Sequence, residues 1–233
     1  MIQINEEVAR RNKAYLRGAK KFFQKHSHKM TAENHYQHNI ELNYWRYMFE
    51  DLVSNPEGFR DGAALEYGCG AGRNLVNMGV LGGFERVDGL DIAKDNALNA
   101  QQFASLKLES YDTKVMCLEG DGYTCLPLRS DSYDFVMSHQ VFIHIPNYEV
   151  RGHIIREIRR VLKSGGVFVC HFMTVGDSVG YFDNHLSFPK NVQPEGAGQL
   201  EEDFETYGFS EIKVSEVTNF VNEKPEWYVR CVK

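Results

Sequence analysis

The sequence has no long hydrophobic run, no paired cysteines and no strong compositional bias. No stretch approaches the roughly 18 apolar residues that a membrane-spanning helix requires. The first 11 residues contain Glu6, Glu7, Arg10 and Arg11 instead of the apolar core of a signal peptide. The five cysteines are odd in number and form no C-x-x-C pair, which argues against a disulfide framework and a four-thiolate zinc site. We therefore expect a cytoplasmic protein with reduced thiols and no membrane contact.

The composition is that of a globular domain with an uneven charge. Of 233 residues, 25% are charged and 42% are apolar, and the length suits one large domain or two small ones. Residues 1–29 carry eight basic residues and two acidic ones, whereas the whole chain has a net charge of −6. A basic arm can meet phosphates or anionic lipid, but the spread of these charges favours a solvated helix face. The acidic remainder argues against a nucleic-acid partner.

The order of elements predicts an α/β protein. Apolar residues recur at helical spacing from about Glu6 to Val53, and Asn55-Pro56-Glu57-Gly58 ends that segment. The predicted strands that follow are Ala63–Tyr67, Arg86–Leu90, Thr113–Leu118, Tyr133–Ser138, Gly166–Phe172, Glu211–Val217 and Glu226–Val232. The clearest predicted helices between them are Asn74–Val80, Lys94–Leu106 and Tyr148–Leu162. This alternation predicts a parallel sheet with helices on both faces, and the short polar connector Thr218–Pro225 predicts a final antiparallel hairpin.

Two regions are predicted along the chain, with one long insertion. We predict an N-terminal helical cap over residues 1–58 and an α/β core over residues 59–233. Within the core, residues 173–198 contain four glycines and two prolines, which predicts an irregular insertion. Long loops on α/β scaffolds often shape substrate sites, and this one is a candidate for that role.

The strongest local signal is a glycine-rich segment after the first predicted strand. It reads Glu66-Tyr67-Gly68-Cys69-Gly70-Ala71-Gly72-Arg73. Glycine at every second position permits positive φ angles and close approach of a ligand to the backbone. A dinucleotide-binding loop of the form G-x-G-x-x-G would have its third glycine at position 73, where this chain has Arg73. The spacing therefore disfavours a nicotinamide oxidoreductase.

With the motifs that follow it, this loop resembles the first motif of the class I S-adenosylmethionine-dependent methyltransferases, an acidic residue, x, then G-x-G-x-G. Asp91 ends the second predicted strand, and Glu119-Gly120-Asp121-Gly122 follows the third. Ser132–Ser138 and Glu157–Gly166 resemble the family's approaches to strands four and five. The resemblance implies a Rossmann-like α/β fold: a seven-stranded, mostly parallel sheet with helices on both faces, an antiparallel C-terminal hairpin strand and an N-terminal helical cap.

The resemblance also implies S-adenosyl-L-methionine as cofactor and S-adenosyl-L-homocysteine as product. The residues that would face the methionine part of the cofactor are Glu66, Gly68, Cys69, Gly70, Gly72, Ser138 and His139. Those that would hold the ribose and adenine are Asp91, Ile92, Asp121 and Gly122. Helix capping or a turn is the alternative role for Asp91 and Asp121. A lid segment from His35 to Trp45 would bring Tyr36 and Trp45 to the cofactor, unless its aromatic residues form a plain packing face.

Three histidines are candidates for a general base. His139 and His144 follow the fourth predicted strand and His171 lies at the end of the fifth, near the edge where open α/β sheets bind ligands. An imidazole with an ordinary pKa near 6.5 can accept a proton at neutral pH, and packing or hydrogen bonding is the alternative role for each. The histidines from His26 to His38 lie in helical-looking surroundings and lack an obvious carboxylate or cysteine partner at ligand spacing, so no metal site is predicted.

The function expected from these features is methyl transfer to an O or N atom of a small-molecule metabolite, by a monomer or homodimer. After the fourth predicted strand the chain reads Ser138-His139-Gln140-Val141, which lacks an Asn-Pro-Pro-Tyr-like signature and disfavours a base or amide nitrogen in nucleic acid or protein. Two alternatives stay open: a methyltransferase with a macromolecular acceptor, and a non-catalytic cofactor-binding module acting through the basic arm. Aminopropyl transfer lacks a recognisable acidic polyamine-site motif.

Overall fold

A seven-stranded sheet organises the described part of the chain. The computed structural model describes residues 17–25, 44–145, 148–173, 196–218 and 225–233. The strands are β1 Ala63–Tyr67, β2 Arg86–Asp91, β3 Lys114–Glu119, β4 Tyr133–Ser138, β5 Leu162–Met173, β6 Ser210–Thr218 and β7 Pro225–Val232, in the order β3-β2-β1-β4-β5-β7-β6. Strands β1 to β5 are parallel to one another, and β7 is antiparallel to both β5 and β6. The predicted fold class is confirmed.

Helices connect the parallel strands as the alternation predicts. The described helices are α1 at 17–25, α2 Tyr44–Met48, α3 Glu50–Ser54, α4 Arg73–Gly82, α5 Lys94–Leu108, α6 Tyr148–Val161 and α7 Ala197–Thr206. Helix α7 is absent from the sequence-based prediction, and its first two residues fall in the predicted insertion. It buries Leu200 and Phe204, a pair one helical turn apart. The remainder of that insertion, residues 174–195, lies outside the described residues.

The sheet separates two hydrophobic layers. Along β5, Phe168 and Cys170 belong to the layer that contains α6 and α7, whereas Val167 and Val169 belong to the layer on the other face. Because successive side chains of a strand point to opposite faces, a central strand with both faces covered is apolar throughout. This burial explains the continuous apolar runs of the central strands.

Helices α2 and α3 are attached to the C-terminal hairpin. Asp51 of α3 forms an ion pair with Arg230 of β7 at 3.0 Å, and the ring of Tyr47 stacks on Tyr228 with centroids 5.0 Å apart. Phe49 and Leu52 are buried beneath them. The segment before β1 thus packs on strands that come last in the chain. The division between cap and core at residue 58 stays a prediction.

The crevice for a ligand lies where the strand order reverses. Strands β1 and β4 are neighbours at the centre of the sheet. From β1 the chain continues to β2 on one side, and from β4 it continues to β5 on the other side. In open α/β sheets this switch point leaves a crevice at the carboxyl ends of the strands. The glycine-rich segment begins directly after β1 and therefore lies at this crevice.

Candidate active site

A cavity of about 220 Å³ opens at the carboxyl ends of the central strands. Its walls come from the loop after β1, the end of β2, the turn after β3 and the segment after β4. The lining residues from these segments include Glu66, Gly68, Cys69, Gly70, Asp91, Ile92, Gly122, Thr124, His139, Val141 and His144. Ala19 and Phe23 of α1 complete the wall from the N-terminal side.

The loop after β1 needs its glycines for conformation and for packing. Gly68, Gly70 and Gly72 all have positive φ angles, of 80°, 51° and 88°. A Cβ on Gly68 would come 2.2 Å from a methyl carbon of Val141, and one on Gly72 would come 2.8 Å from the Cα of Ala100. A side chain at Gly68 or Gly72 would therefore be strained both by the positive φ angle and by the close contact of its Cβ.

Asp91 holds the glycine loop to the start of α5. Its Oδ2 accepts a hydrogen bond from the backbone N–H of Gly70 at 2.9 Å. Its Oδ1 accepts from the N–H of Ala93 at 2.8 Å and from the side chain of Asn96 at 3.1 Å. Burial raises the pKa of Asp91, and these hydrogen bonds oppose that rise. Asp91 therefore has the turn role that the sequence left open, and it also lines the cavity; its contact with a ribose stays a prediction.

Glu66 is a buried carboxylate with one oxygen unsatisfied. Only 2% of the residue is exposed, and Oε1 accepts a hydrogen bond from the Asn74 side chain at 2.7 Å. Oε2 has no hydrogen-bond partner within the described part of the chain, and Glu66 lines the cavity. Burial raises the pKa of Glu66 to about 8. A cationic group in the cavity would supply the missing partner and return the carboxyl to its charged form.

Three of the predicted cofactor residues, Gly72, Asp121 and Ser138, do not line the cavity. The Asp121 carboxylate accepts hydrogen bonds from the N–H groups of Tyr123 and Thr124, at 2.8 and 2.6 Å, as in a turn. The Ser138 hydroxyl is buried and donates to the carbonyl of Tyr67 at 2.9 Å, which ties β4 to β1. Their roles toward a cofactor stay predictions. Thr124, which the sequence did not suggest, lies in the cavity wall beside Gly122.

The three candidate histidines occupy different positions. His139 and His144 line the cavity, whereas His171 lies behind His139 with ring centroids 5.1 Å apart. Burial lowers the pKa of His139 well below its usual value, with a smaller contribution from His171, and burial lowers that of His144 to about 4. The Nε2 of His171 is 3.5 Å from a carboxylate oxygen of Glu226 on β7. His139 and His144 are therefore neutral imidazoles at neutral pH.

Helix α1, from the basic arm, covers the cavity. Ala19 and Phe23, four residues apart, share the helix face that lines it. Lys20 forms an ion pair with Glu119 at the end of β3, and the Phe23 ring lies 5.5 Å from the His144 ring. The predicted lid runs from His35 to Trp45. Its residues 35–43, which include Tyr36, and the side chain of Trp45 lie outside the described part of the chain. The covering helix comes from earlier in the chain.

Neither a membrane-spanning helix nor a metal-binding cluster occurs in the described ranges. No helix there is long and apolar enough to cross a membrane. Those ranges also contain no group of three or more His, Cys, Asp or Glu side chains arranged to hold a metal ion. The histidines at positions 26–38 lie outside them.

The fold and the cavity are similar to those of one class of protein. Three features are similar to those of class I methyltransferases. They are the sheet order β3-β2-β1-β4-β5-β7-β6 with one antiparallel strand, the loop of glycines with positive φ angles after β1, and the acidic residue at the end of β2. Residues 65–170 match the family model described as a methyltransferase domain. The matched residues run from β1 into β5 and include the glycine-rich segment, Asp91, His139 and His144.

The curated relatives are methyltransferases of distant sequence. Demethylmenaquinone methyltransferase of Bacillus licheniformis is 24% identical over 166 residues, which cover 71% of this chain and 66% of the relative. The enzyme of the same name from Bacillus cereus is 26% identical over 133 residues, 56% of this chain and 53% of the relative. The chain thus matches between about a half and two thirds of the length of these relatives.

Solved structures share the fold at still lower identity. Magnesium protoporphyrin IX methyltransferase from Synechocystis PCC 6803 with bound S-adenosylhomocysteine has a TM-score of 0.63 and 15% identity, covering 94% of this chain and 99% of that chain. Phosphoethanolamine N-methyltransferase 2 from Haemonchus contortus in complex with S-adenosyl-L-methionine has a TM-score of 0.56 and 16% identity, covering 79% and 52%. These similarities establish the shared fold.

Proposed function

We propose that the protein transfers a methyl group from S-adenosylmethionine to an O or N atom of a small-molecule acceptor and releases S-adenosylhomocysteine. The observation that carries this proposal is Glu66, a buried residue of the cavity wall beside the glycine-rich segment, whose Oε2 has no hydrogen-bond partner among the described residues. The relatives and neighbours named above are methyltransferases of demethylmenaquinone, magnesium protoporphyrin IX and phosphoethanolamine, which supports a small-molecule acceptor.

The residues around the cavity fit the chemistry of this cofactor. S-Adenosylmethionine, when bound, supplies a methyl group that is already activated on a sulfonium. Glu66 offers a carboxylate to an ammonium group, and Asp91 retains acceptor capacity toward hydroxyl groups after its hydrogen bonds within the protein. Ile92 offers an apolar wall at the end of β2. The donor set therefore suits a ligand with a cationic end, hydroxyl groups and a flat apolar part.

The acceptor side of the cavity indicates catalysis mainly by alignment. Positioning two reactants supplies about 7–11 kcal/mol of a barrier, whereas a general base adds about 10²–10⁴ in rate. A base works best when its pKa is near the working pH, and burial lowers the pKa of His144 to about 4. His139 and His144 are then weak proton acceptors, which suit an acidic hydroxyl or an uncharged amine.

The alternative of a non-catalytic module acting through the basic arm receives less support. The described part of that arm, α1, lines the cavity with Ala19 and Phe23 and is tied to β3 through Lys20. Helix α1 therefore contacts the α/β core both through Ala19 and Phe23 and through Lys20. The arm is therefore better explained as a cover over the cofactor than as a separate docking element.

Calorimetric titration with S-adenosylmethionine and S-adenosylhomocysteine tests the proposal. We expect the wild type to bind both ligands and Asp91→Asn to bind at least tenfold more weakly, about 1.4 kcal/mol, because Oδ2 would no longer accept from Gly70. Asp112→Asn is the matched control, since Asp112 is exposed in a turn before β3. Wild-type protein that binds neither ligand would overturn the proposal.

The acceptor is then sought by following S-adenosylhomocysteine release. Pools of small hydroxylated and amine metabolites are compared with protein and RNA fractions at equal mass. Release that requires a small-molecule pool supports the proposed acceptor class. Release with a macromolecular fraction alone would keep the methyltransferase and replace the acceptor.

A further inference from the structure

Two cysteine side chains meet beside the glycine loop. Cys69, between Gly68 and Gly70, is 5% exposed and lines the cavity. Cys117 lies on β3 and is more exposed. Both sulfurs approach Gly89 of β2: a Cβ there would be 2.7 Å from the Cys69 sulfur and 3.1 Å from the Cys117 sulfur. The two thiols therefore share the space that a side chain at position 89 would occupy.

The sheet register explains why the sulfurs converge. Gly89 and Cys117 are partners in the parallel β2–β3 pair, so position 89 and the Cys117 side chain share one face of the sheet. The Cys69 N–H donates to the Leu90 carbonyl at 2.9 Å, which fixes the loop above the same face. The two sulfurs are at most about 6 Å apart, the sum of their distances to that common point. The neighbouring Cys117 thiol and burial raise the pKa of the Cys69 thiol.

We propose that Cys69 and Cys117 are a thiol modification site, which forms a reversible disulfide when the protein meets a small-molecule disulfide such as oxidised glutathione, and that this bond weakens cofactor binding. All five cysteines are free in the structure, which is therefore the reduced form. Cys69 is part of the cavity wall, so its cross-linking acts directly on the glycine loop. The effect on binding rests on the proposed function, whereas formation of the disulfide does not.

The reaction proceeds by two thiol–disulfide exchanges. The more exposed Cys117, as thiolate, attacks one sulfur of oxidised glutathione, which forms a mixed disulfide and releases one glutathione thiolate. The Cys69 thiolate then attacks the Cys117 sulfur, which forms the protein disulfide and releases the second glutathione thiolate. Two protein thiols are oxidised, one small disulfide is reduced, and the two protein protons pass to the released thiolates. Because the raised pKa of Cys69 keeps its thiol protonated, the second exchange is slow and accelerates with pH.

Bond formation moves the loop. An S–S bond is about 2.05 Å long, much shorter than a non-bonded contact between two thiols, so the Cys69 sulfur must move toward β3. Its neighbour Gly70 donates to Asp91 at 2.9 Å, and this hydrogen bond holds the loop in its cavity-facing conformation. We therefore expect the disulfide to weaken S-adenosylhomocysteine binding at least tenfold.

The test combines thiol titration, peptide mapping and calorimetry. Wild-type protein is incubated with oxidised glutathione at pH 8, and thiols are then titrated in denaturant. The expected result is a fall from five thiols to three, a peptide linking Cys69 to Cys117, and weakened binding of S-adenosylhomocysteine that dithiothreitol restores. Cys117→Ser and Cys69→Ser should form no internal disulfide. Cys125→Ser, which removes a buried cysteine from the opposite layer, is the matched control and should lose two thiols like the wild type.

Each outcome decides one part of the proposal. A folded wild type that shows no peptide linking positions 69 and 117 refutes the modification site. If Cys69→Ser does not fold, Cys117→Ser alone provides the comparison, because it removes the thiol outside the cavity wall. A disulfide that leaves S-adenosylhomocysteine affinity unchanged refutes the effect on binding. Reduced protein that binds no S-adenosylhomocysteine but forms the disulfide refutes the proposed function and leaves the modification site standing.

Discussion

Replacing Glu66 by glutamine tests the electrostatic account of the cavity. Burial raises the pKa of Glu66 to about 8 from its ordinary value of 4.5 in the unfolded chain. Between these pH values the native protein holds a proton that the unfolded chain has released. This stabilisation is complete below pH 4.5 and is lost as pH rises through the folded-state pKa. At about 1.4 kcal/mol per pH unit, the loss is on the order of 5 kcal/mol.

We expect Glu66→Gln to be more stable than the wild type at alkaline pH. The glutamine amide is neutral at every pH, so the difference in unfolding free energy, variant minus wild type, should grow from pH 5 to pH 8 by about 3–5 kcal/mol and then level off. His139 and His144 have lowered pKa values and contribute stability that is lost as pH falls, the opposite slope. That slope is common to both proteins and cancels in the difference.

Urea denaturation at half-unit intervals from pH 5 to pH 9 measures this difference. Glu201→Gln, on the exposed face of α7, is the matched control and should give a difference that does not vary with pH. The variant at Glu66 should also bind S-adenosylhomocysteine more weakly, because it cannot offer a negative charge to an ammonium group. A difference between Glu66→Gln and the wild type that stays within about 1 kcal/mol across the pH range would refute the reasoning.

Two further substitutions test the covering of the cavity by α1 and the packing of the Cys69 and Cys117 sulfurs against Gly89. Phe23→Ala should weaken S-adenosylhomocysteine binding roughly tenfold in calorimetry, because it removes an apolar wall of the cavity. Phe22→Ala, outside the wall, should change binding less, and equal effects would contradict the covering role of α1. Gly89→Ala should destabilise the protein by about 1–3 kcal/mol in urea denaturation, because its Cβ would contact both sulfurs. Gly198→Ala, with nothing within 4 Å, should be neutral or stabilising, and equal stability of the two variants would contradict the packing.

Local patterns were sufficient to predict most of the sheet. Strands β1 and β4 match their predicted bounds residue for residue, because both are short apolar runs bounded by polar or glycine residues. Strand β5 begins at Leu162, four residues before the prediction, since Leu162 pairs with Tyr133 and Lys233 bonds to Gly165 and Gly166. Residues 162–165, which the prediction leaves outside the strand, are thus drawn into it by partners distant in sequence. Helix α7 was missed because Leu200 and Phe204 give too short an apolar pattern.

The same distinction applies to the candidate site. Glu66 and Asp91 could be found from their spacing to the glycines, because a loop after a parallel strand has few conformations available. The sequence could not predict that Phe23 covers the cavity or that Glu226 lies near His171, because each contact joins residues far apart in the chain. The meeting of Cys69 with Cys117 depends on sheet register. Tertiary contact therefore supplies what local spacing cannot.

The place of β7 between β5 and β6 has a consequence for synthesis on the ribosome. Strand β6 pairs with the described sheet only through β7. Asp51 forms its ion pair with Arg230, a residue that is synthesised 179 residues later. At about 5–20 residues per second, this partner appears roughly 10 to 35 s after Asp51. Strand β5 has an open edge from its own synthesis until β7 appears, and α3 lacks its ion pair with Arg230 throughout the interval. Entry of the last strand into the gap closes the sheet edge and secures the first helices in one step.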